Sequence, residues 1–145
     1  MAIEFNHTIV LSRDRDTSAH FLADILGLSV GKPFGIFLPV VTANGVTLDF
    51  LTVGNDIPWQ HYAFLVSEAD FDGILARLVE RKIPIWADPH AKQPGRINRN
   101  DGGRGVYFKD PSGHGMEAFT RPYGSDPSSE LHGTTEVVPG AAVES

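Results

Sequence analysis

Residues 59–82 read WQHYAFLVSEADFDGILARLVERK, and the change of hydrophobic period within this stretch decides the fold. From Trp59 to Val66, Trp59, Ala63 and Leu65 share one parity with His61, while Tyr62, Phe64 and Val66 occupy the other. Apolar residues on both parities predict a strand over 59–66 that is covered on both faces. Ser67 followed by Asp70 resembles a capping box, and Phe71, Ile74, Leu75, Leu78 and Val79 then recur at intervals of three and four. That spacing predicts a helix over 68–82, and Pro84 lies beyond its end.

The same order is written upstream. Ile3, Phe5, His7, Ile9 and Leu11 alternate with Glu4, Asn6 and Thr8, which predicts a first strand with His7 on its apolar side. Asp14 and Asp16 offer caps for a helix over 16–26 with Phe21, Leu22, Ile25 and Leu26 on one face, and Gly27 is placed to end it. Extended runs follow at 28–32, 35–42 and, after the Asn44-Gly45 turn signal, 46–53. Downstream of the second helix come Ile85-Trp86, a polar Gly-rich loop from Asp88 to Arg104, a strand over 105–109, the turn Asp110-Pro111-Ser112-Gly113 and a last strand reaching Thr120. Both halves read β-α-β-β-β. The expected class is α+β, with paired modules over about 1–54 and 55–123. Residues 124–145, rich in Ser, Pro, Gly, Thr and Glu, are expected to be a mobile C-terminal tail.

Composition narrows the function. A chain of 145 residues and 15.8 kDa, 41% hydrophobic and 21% charged, suits one soluble globular domain. Its longest apolar stretch, Gly35 to Val41, is seven residues and contains Pro39, far short of the ~20 that a membrane helix needs. The opening Met1-Ala2-Ile3-Glu4 has no basic flank followed by an apolar run, so a cytoplasmic location is expected. With no cysteine there is no disulfide framework, thiolate zinc site, iron–sulfur cluster or thiol nucleophile. Of the net charge of −6, Asp126, Glu130, Glu136 and Glu144 in the tail account for four, leaving −2 for residues 1–123. Nucleic acid and acidic membranes are therefore not expected partners.

The repeat also organises the candidate chemistry. His7 and His61 stand 54 positions apart in the two first strands, and Asp49 and Glu117 stand 68 apart in the two last ones. The extra length falls in the 88–104 loop. Each module thus offers one histidine and one carboxylate, nitrogen and oxygen donors suited to a divalent Mn, Fe, Ni, Co or Zn. Glu117 shares its parity with Gly115 and Phe119 on a strand covered on both faces, where an unpaired carboxylate costs several kcal/mol that a cation would offset. Plainer readings stand beside this one. Either histidine can be an ordinary core residue, Asp49 an edge charge, and Glu117 the partner of Arg104 or Arg121.

At these residues the chain resembles the vicinal oxygen chelate superfamily, which includes glyoxalase I, fosfomycin-resistance thiol transferases, extradiol dioxygenases and bleomycin-resistance proteins. The resemblance spans about residues 3–123. It is carried by Phe5-Asn6-His7, by His61-Tyr62-Ala63-Phe64 with Glu68-Ala69-Asp70-Phe71, and most specifically by Gly105-Val106-Tyr107-Phe108-Lys109-Asp110-Pro111-Ser112-Gly113-His114-Gly115-Met116-Glu117. It implies paired βαβββ modules curling into a cup-like mixed sheet with helices outside. It also implies a metal held by His7, His61 and Glu117, Tyr107 beside the substrate, and a homodimer. Ile9 and Ala87 stand where the fosfomycin transferases have a phosphonate-binding threonine and lysine. Asn98-Arg99-Asn100-Asp101 replaces the acid/base histidine of the dioxygenases, and Asp49 replaces a glutamate of glyoxalase I.

The function implied is Lewis-acid catalysis on a small substrate that chelates the metal through vicinal oxygens, of lyase, isomerase, transferase or dioxygenase type. Tyr107 and Asp49 are the candidate catalytic groups, Asp49 as a general base. Phe50, Trp59 and Phe119 are candidate pocket walls. The 88–104 loop, with Lys92, Arg96, Arg99 and Arg104, reads either as an anion-attracting lid or as a solvated connection. His114 is expected to pack or cap, and His20, His90 and His132 show no partner pattern. The alternative function is a non-catalytic antibiotic- or metabolite-binding protein of the bleomycin-resistance kind.

Overall fold

A computed structural model describes residues 2–144. The chain forms two compact units, one comprising residues up to Trp59 with Asp110–Gly113, the other Gln60–Lys109 with His114 onward.

In the first unit the order is β1 (His7–Ser12), α1 (Arg15–Leu26), β2 (Phe37–Val41) and β3 (Thr47–Thr52). The strands make one mixed sheet, β1-β3-β2, with β1 parallel and β2 antiparallel to β3. The β2–β3 hairpin turns at Asn44-Gly45, where φ is +85° at Gly45, a conformation that glycine adopts without steric cost. Helix α1 starts at Asp14, whose side chain accepts from the Asp16 and Thr17 amides, and ends at Gly27 in the left-handed region. Ala19, Leu22, Ala23 and Ile25 of the helix are buried, as are Val10, Leu38, Val40, Leu48 and Phe50 of the strands. Burying each large side chain contributes about 1.5–3 kcal/mol.

Three details differ from the sequence expectation, the first being that the parity of His7 and Ile9 is the exposed one in β1, with Val10 and Ser12 buried on the other. The first strand starts at His7 rather than Ile3, because β3 begins at Thr47, whose amide bonds Asn6 O, and residues 3–5 have no strand opposite them. Ile3 and Phe5 are exposed. The run at 28–32 is a single bridge, Val30 to Val40, extended by the Gly31 amide on Pro39 O, and past Pro33 Phe34 bridges Phe37.

The second unit contains β4 (His61–Leu65), α2 (Glu68–Glu80), β5 (Arg96–Asn98), a 3-10 turn (Asn100–Gly102), β6 (Gly105–Lys109), β7 (Gly115–Phe119) and β8 (Thr135–Val137). Its sheet runs β4-β7-β6-β5-β8, with β4 and β7 parallel and the other pairs antiparallel. Ser67 caps α2 through the Asp70 amide, as its spacing predicts, and Phe71, Ile74 and Leu78 are buried. Trp86 bridges to Tyr107 and to Pro94 in place of a full strand at 85–86.

The segment expected to be a mobile tail carries β8, which pairs with β5. Polar contacts, to which an apolar-periodicity reading is blind, hold it there. Arg96 donates to Thr135 Oγ1 at 2.8 Å, Arg99 pairs with Glu136 at 2.8 Å, and Asp101 accepts from the Gly124 and Asp126 amides at 3.1 and 3.0 Å. These contacts also answer the question of the 88–104 loop. Arg96, Arg99 and Arg104 are engaged with the C-terminal segment or with α2, which braces the loop as a connection. No helix among the described residues is long and apolar enough to cross a membrane.

Candidate metal centre

The two sheets repeat each other in register. In the first, His7 lies opposite Thr47 and Ile9 opposite Asp49; in the second, His61 lies opposite Gly115 and Ala63 opposite Glu117. Each parallel pair therefore places its histidine and its carboxylate on one face, two residues apart along the strands. This is the correspondence that the spacing predicts.

Glu117 sits in the middle of β7, between Ala63 of β4 and Tyr107 of β6, and is only 1% exposed. Its Oε1 is 3.0 Å from His61 Nε2. Tyr123, just past the end of β7, donates its phenol to Oε1 and Oε2 at 2.5 and 2.6 Å. The Tyr107 and Tyr123 hydroxyls are 3.5 Å apart, and the Tyr107 ring stacks on His61 with centroids 5.9 Å apart. Burial, and then the hydrogen bond to Glu117, push the Tyr123 phenol up to about 12. Tyr107 is raised further, by burial first and then by its hydrogen bond to Tyr123 and the charge of Glu117. Both phenols are donors at neutral pH.

Among the described residues no Lys or Arg pairs with Glu117. Arg104, one counter-ion that the sequence allows, binds Glu68 and Asp72 at 2.8 Å each and lies over the Phe71 ring. Arg121, the other, is exposed. A carboxylate so deeply buried is costly unless a cation meets it, a need that a protonated His61 or a bound metal ion satisfies. The donors fit one. An imidazole nitrogen and a carboxylate oxygen are donors that divalent transition metals accept, and His61 Nε2 and Glu117 Oε1 lie 3.0 Å apart.

His7 and Asp49, on β1 and β3 of the first unit, share one sheet face. The His7 ring is exposed and its Nδ1 meets Asn6 Oδ1 at 2.7 Å. If Nδ1 carries the proton, Nε2 is left free to ligate, the usual use of such an outer partner. Among the described residues no group of three or more His, Asp and Glu gathers to hold a metal. What one chain assembles is the pair His61 and Glu117, with Tyr107 and Tyr123 around it.

The proposed walls fare differently. Phe50 is fully buried on the face of β3 opposite Asp49, so it is a core residue of the first unit and not a wall. Trp59 is exposed, and Phe119 is half-buried with its ring 5.1 Å from that of Tyr123. His114 packs as expected, accepting the Gln60 amide at Nδ1 with its ring edge against Tyr62. Two participants escape the sequence reading. His132 takes the Asp101 amide at Nδ1. Tyr123 follows a strand end and an Arg-Pro pair, where no periodicity assigns a direction to its side chain.

Comparison with known proteins gives the family of the chain. Residues 4–118 match the Glyoxalase/Bleomycin resistance protein/Dioxygenase superfamily. A solved structure of Oxidase ChaP-H2 is 56% identical, covers 87% of this chain and 99% of that one, and superposes with a TM-score of 0.85. Glutathione transferase FosA of Serratia marcescens is 29% identical over 123 residues, 81% of this chain and 80% of that protein. Metallothiol transferase FosB of Lysinibacillus sphaericus is 30% identical over 125 residues, 79% of this chain and 80% of that protein. This chain belongs to the glyoxalase/bleomycin resistance protein/dioxygenase superfamily.

Proposed function

We propose that the protein is a metal-dependent oxidase or dioxygenase, acting as a homodimer on a small molecule that presents two neighbouring oxygens. The observation that carries this reading is the Glu117 carboxylate, 1% exposed, 3.0 Å from His61 Nε2 and without a Lys or Arg partner among the described residues. The oxidase chemistry is taken from the 56% identity to Oxidase ChaP-H2. The phosphonate chemistry of the fosfomycin transferases is disfavoured by Ile9 and by the buried Ala87, which supply neither the hydroxyl nor the cation that a phosphonate anion requires.

His61 and Glu117 are two ligands and His7 the third, contributed within the homodimer; the ion is a divalent Fe, Mn, Ni, Co or Zn. When bound, it supplies Lewis-acid polarisation of the substrate oxygens. Tyr107, protonated and stacked on His61, directs a donor hydrogen bond toward the substrate. Asp49, half-buried on the same face as His7, serves as a general base. Trp59 and Phe119 supply apolar walls.

The test is metal analysis of the purified protein together with oxygen uptake in the presence of catechol-like and α-hydroxyketone probes, under air and under nitrogen. The reading expects stoichiometric metal that is lost in His61→Ala and Glu117→Gln. Wild-type protein that takes up none of Fe(II), Mn(II), Co(II), Ni(II) or Zn(II) overturns it. If such metal-free protein still binds an aromatic ligand, the non-catalytic binding function takes its place.

A further inference from the structure

The reading above uses His61 and Glu117 but gives no work to the residue that touches Glu117 most closely. Tyr123 donates to both carboxylate oxygens, at 2.5 and 2.6 Å, and its hydroxyl is 3.5 Å from that of Tyr107. Its ring lies 5.1 Å from that of Phe119, which shares the Glu117 face of β7. Tyr123 is nonetheless 65% exposed, so burial alone does not hold it in place.

The next residues supply the hold. Asp101, 2% exposed and in the left-handed region at φ +56°, accepts the Gly124 amide at Oδ2 and the Asp126 amide at Oδ1. Its own amide donates to His132 Nδ1 at 2.9 Å, and the Gly133 amide reaches Asn100 Oδ1. The chain just after Tyr123 is thus tied to the 3-10 turn at Asn100–Gly102, and β8 continues the attachment to β5.

From this arrangement we infer that Tyr123 is a positioning residue for Glu117, set in place by the C-terminal segment through Asp101. The phenol pins the carboxylate so that Oε1 lies against His61 Nε2. A glutamate held in this way has lost the rotamer freedom that metal binding would otherwise have to remove, and outer partners of ligating carboxylates commonly contribute 10- to 100-fold in metal affinity. The segment beyond β7 is accordingly part of the centre.

This inference rests on the metal reading, and the experiment separates the two. Co(II) serves as the probe, because its visible absorption reports the ligand set; affinity is read by chelator competition on wild type, His61→Ala, Tyr123→Phe, Asp101→Asn and the Tyr123→Phe/Asp101→Asn double variant. Tyr123→Phe keeps the ring on Phe119, and circular dichroism checks its fold. The expected result is at least tenfold weaker Co(II) binding and an altered visible spectrum in Tyr123→Phe. A smaller loss is expected in Asp101→Asn, with no further loss when it is added to Tyr123→Phe, since the anchor acts only through the phenol. Wild type and His61→Ala that fail equally to bind Co(II) would sink the metal reading itself. His61-dependent binding with unchanged affinity and spectrum in Tyr123→Phe overturns the positioning role alone. Tighter binding in that variant overturns it as well, because the phenol would then compete with the ion.

Discussion

The attachment of the C-terminal segment is open to a direct stability test at Asp101. Asp101→Ala removes two carboxylate acceptors, leaving the Gly124 and Asp126 amides without partners. Hydrogen bonds to a charged group contribute about 1.5–3 kcal/mol each. Gly124 is exposed and Asp126 half-exposed, so both amides regain water and the lower end of the range applies. Alanine in the left-handed region adds roughly 1 kcal/mol of strain. A net loss of about 4 kcal/mol, concentrated in the segment, amounts to a fall of roughly 700-fold in exchange protection. Amide hydrogen exchange followed residue by residue is the assay: protection falls across 124–137 while β6 and β7 amides keep theirs. Asp101→Asn retains one side-chain acceptor and tolerates the backbone angle, so it loses about half as much free energy. Unchanged protection at 124–137 in Asp101→Ala would refute the anchoring role. An equal loss in β6 and β7 would refute the idea that the segment opens on its own.

Three further outcomes follow from the packing. Phe71→Ala removes a fully buried ring beneath the Arg104 guanidinium and lowers unfolding free energy by about 3–5 kcal/mol in urea titration; a loss below about 1 kcal/mol would mean that the site collapses to fill the space. Gly27→Ala at the left-handed end of α1 costs about 1–2 kcal/mol in the same assay, leaving Co(II) affinity untouched. For Glu68, burial raises the carboxyl pKa, but hydrogen bonds from Thr120 and Arg104 outweigh it and hold the group below its ordinary value. A depressed carboxyl contributes stability above its unfolded pKa and loses it as pH falls through the folded one. Glu68→Gln, at a largely exposed position, therefore costs less than about 1 kcal/mol at pH 7 and nothing at the acid end of the carboxylate range, as stability curves at the two pH values will show.

What the sequence determined by itself is what short-range periodicity and repetition can encode. The 3–4 spacing from Phe71 to Val79 and the alternation around His61 specify α2 and β4, and the 54- and 68-residue offsets place His7 with His61 and Asp49 with Glu117 in matching registers. Periodicity also marked Phe50 as apolar without saying which side of β3 the pocket would take; only the packing against α1 resolves that. Arg104 was an open counter-ion for Glu117 until the fold gave it Glu68 and Asp72, 36 and 32 positions away. The segment after β7 was the least legible part. Asp101 meets Gly124, Asp126 and His132, 23 to 31 positions away, through hydrogen bonds. Such bonds depend on where backbone amides arrive in space, and nothing in the local order of residues records that.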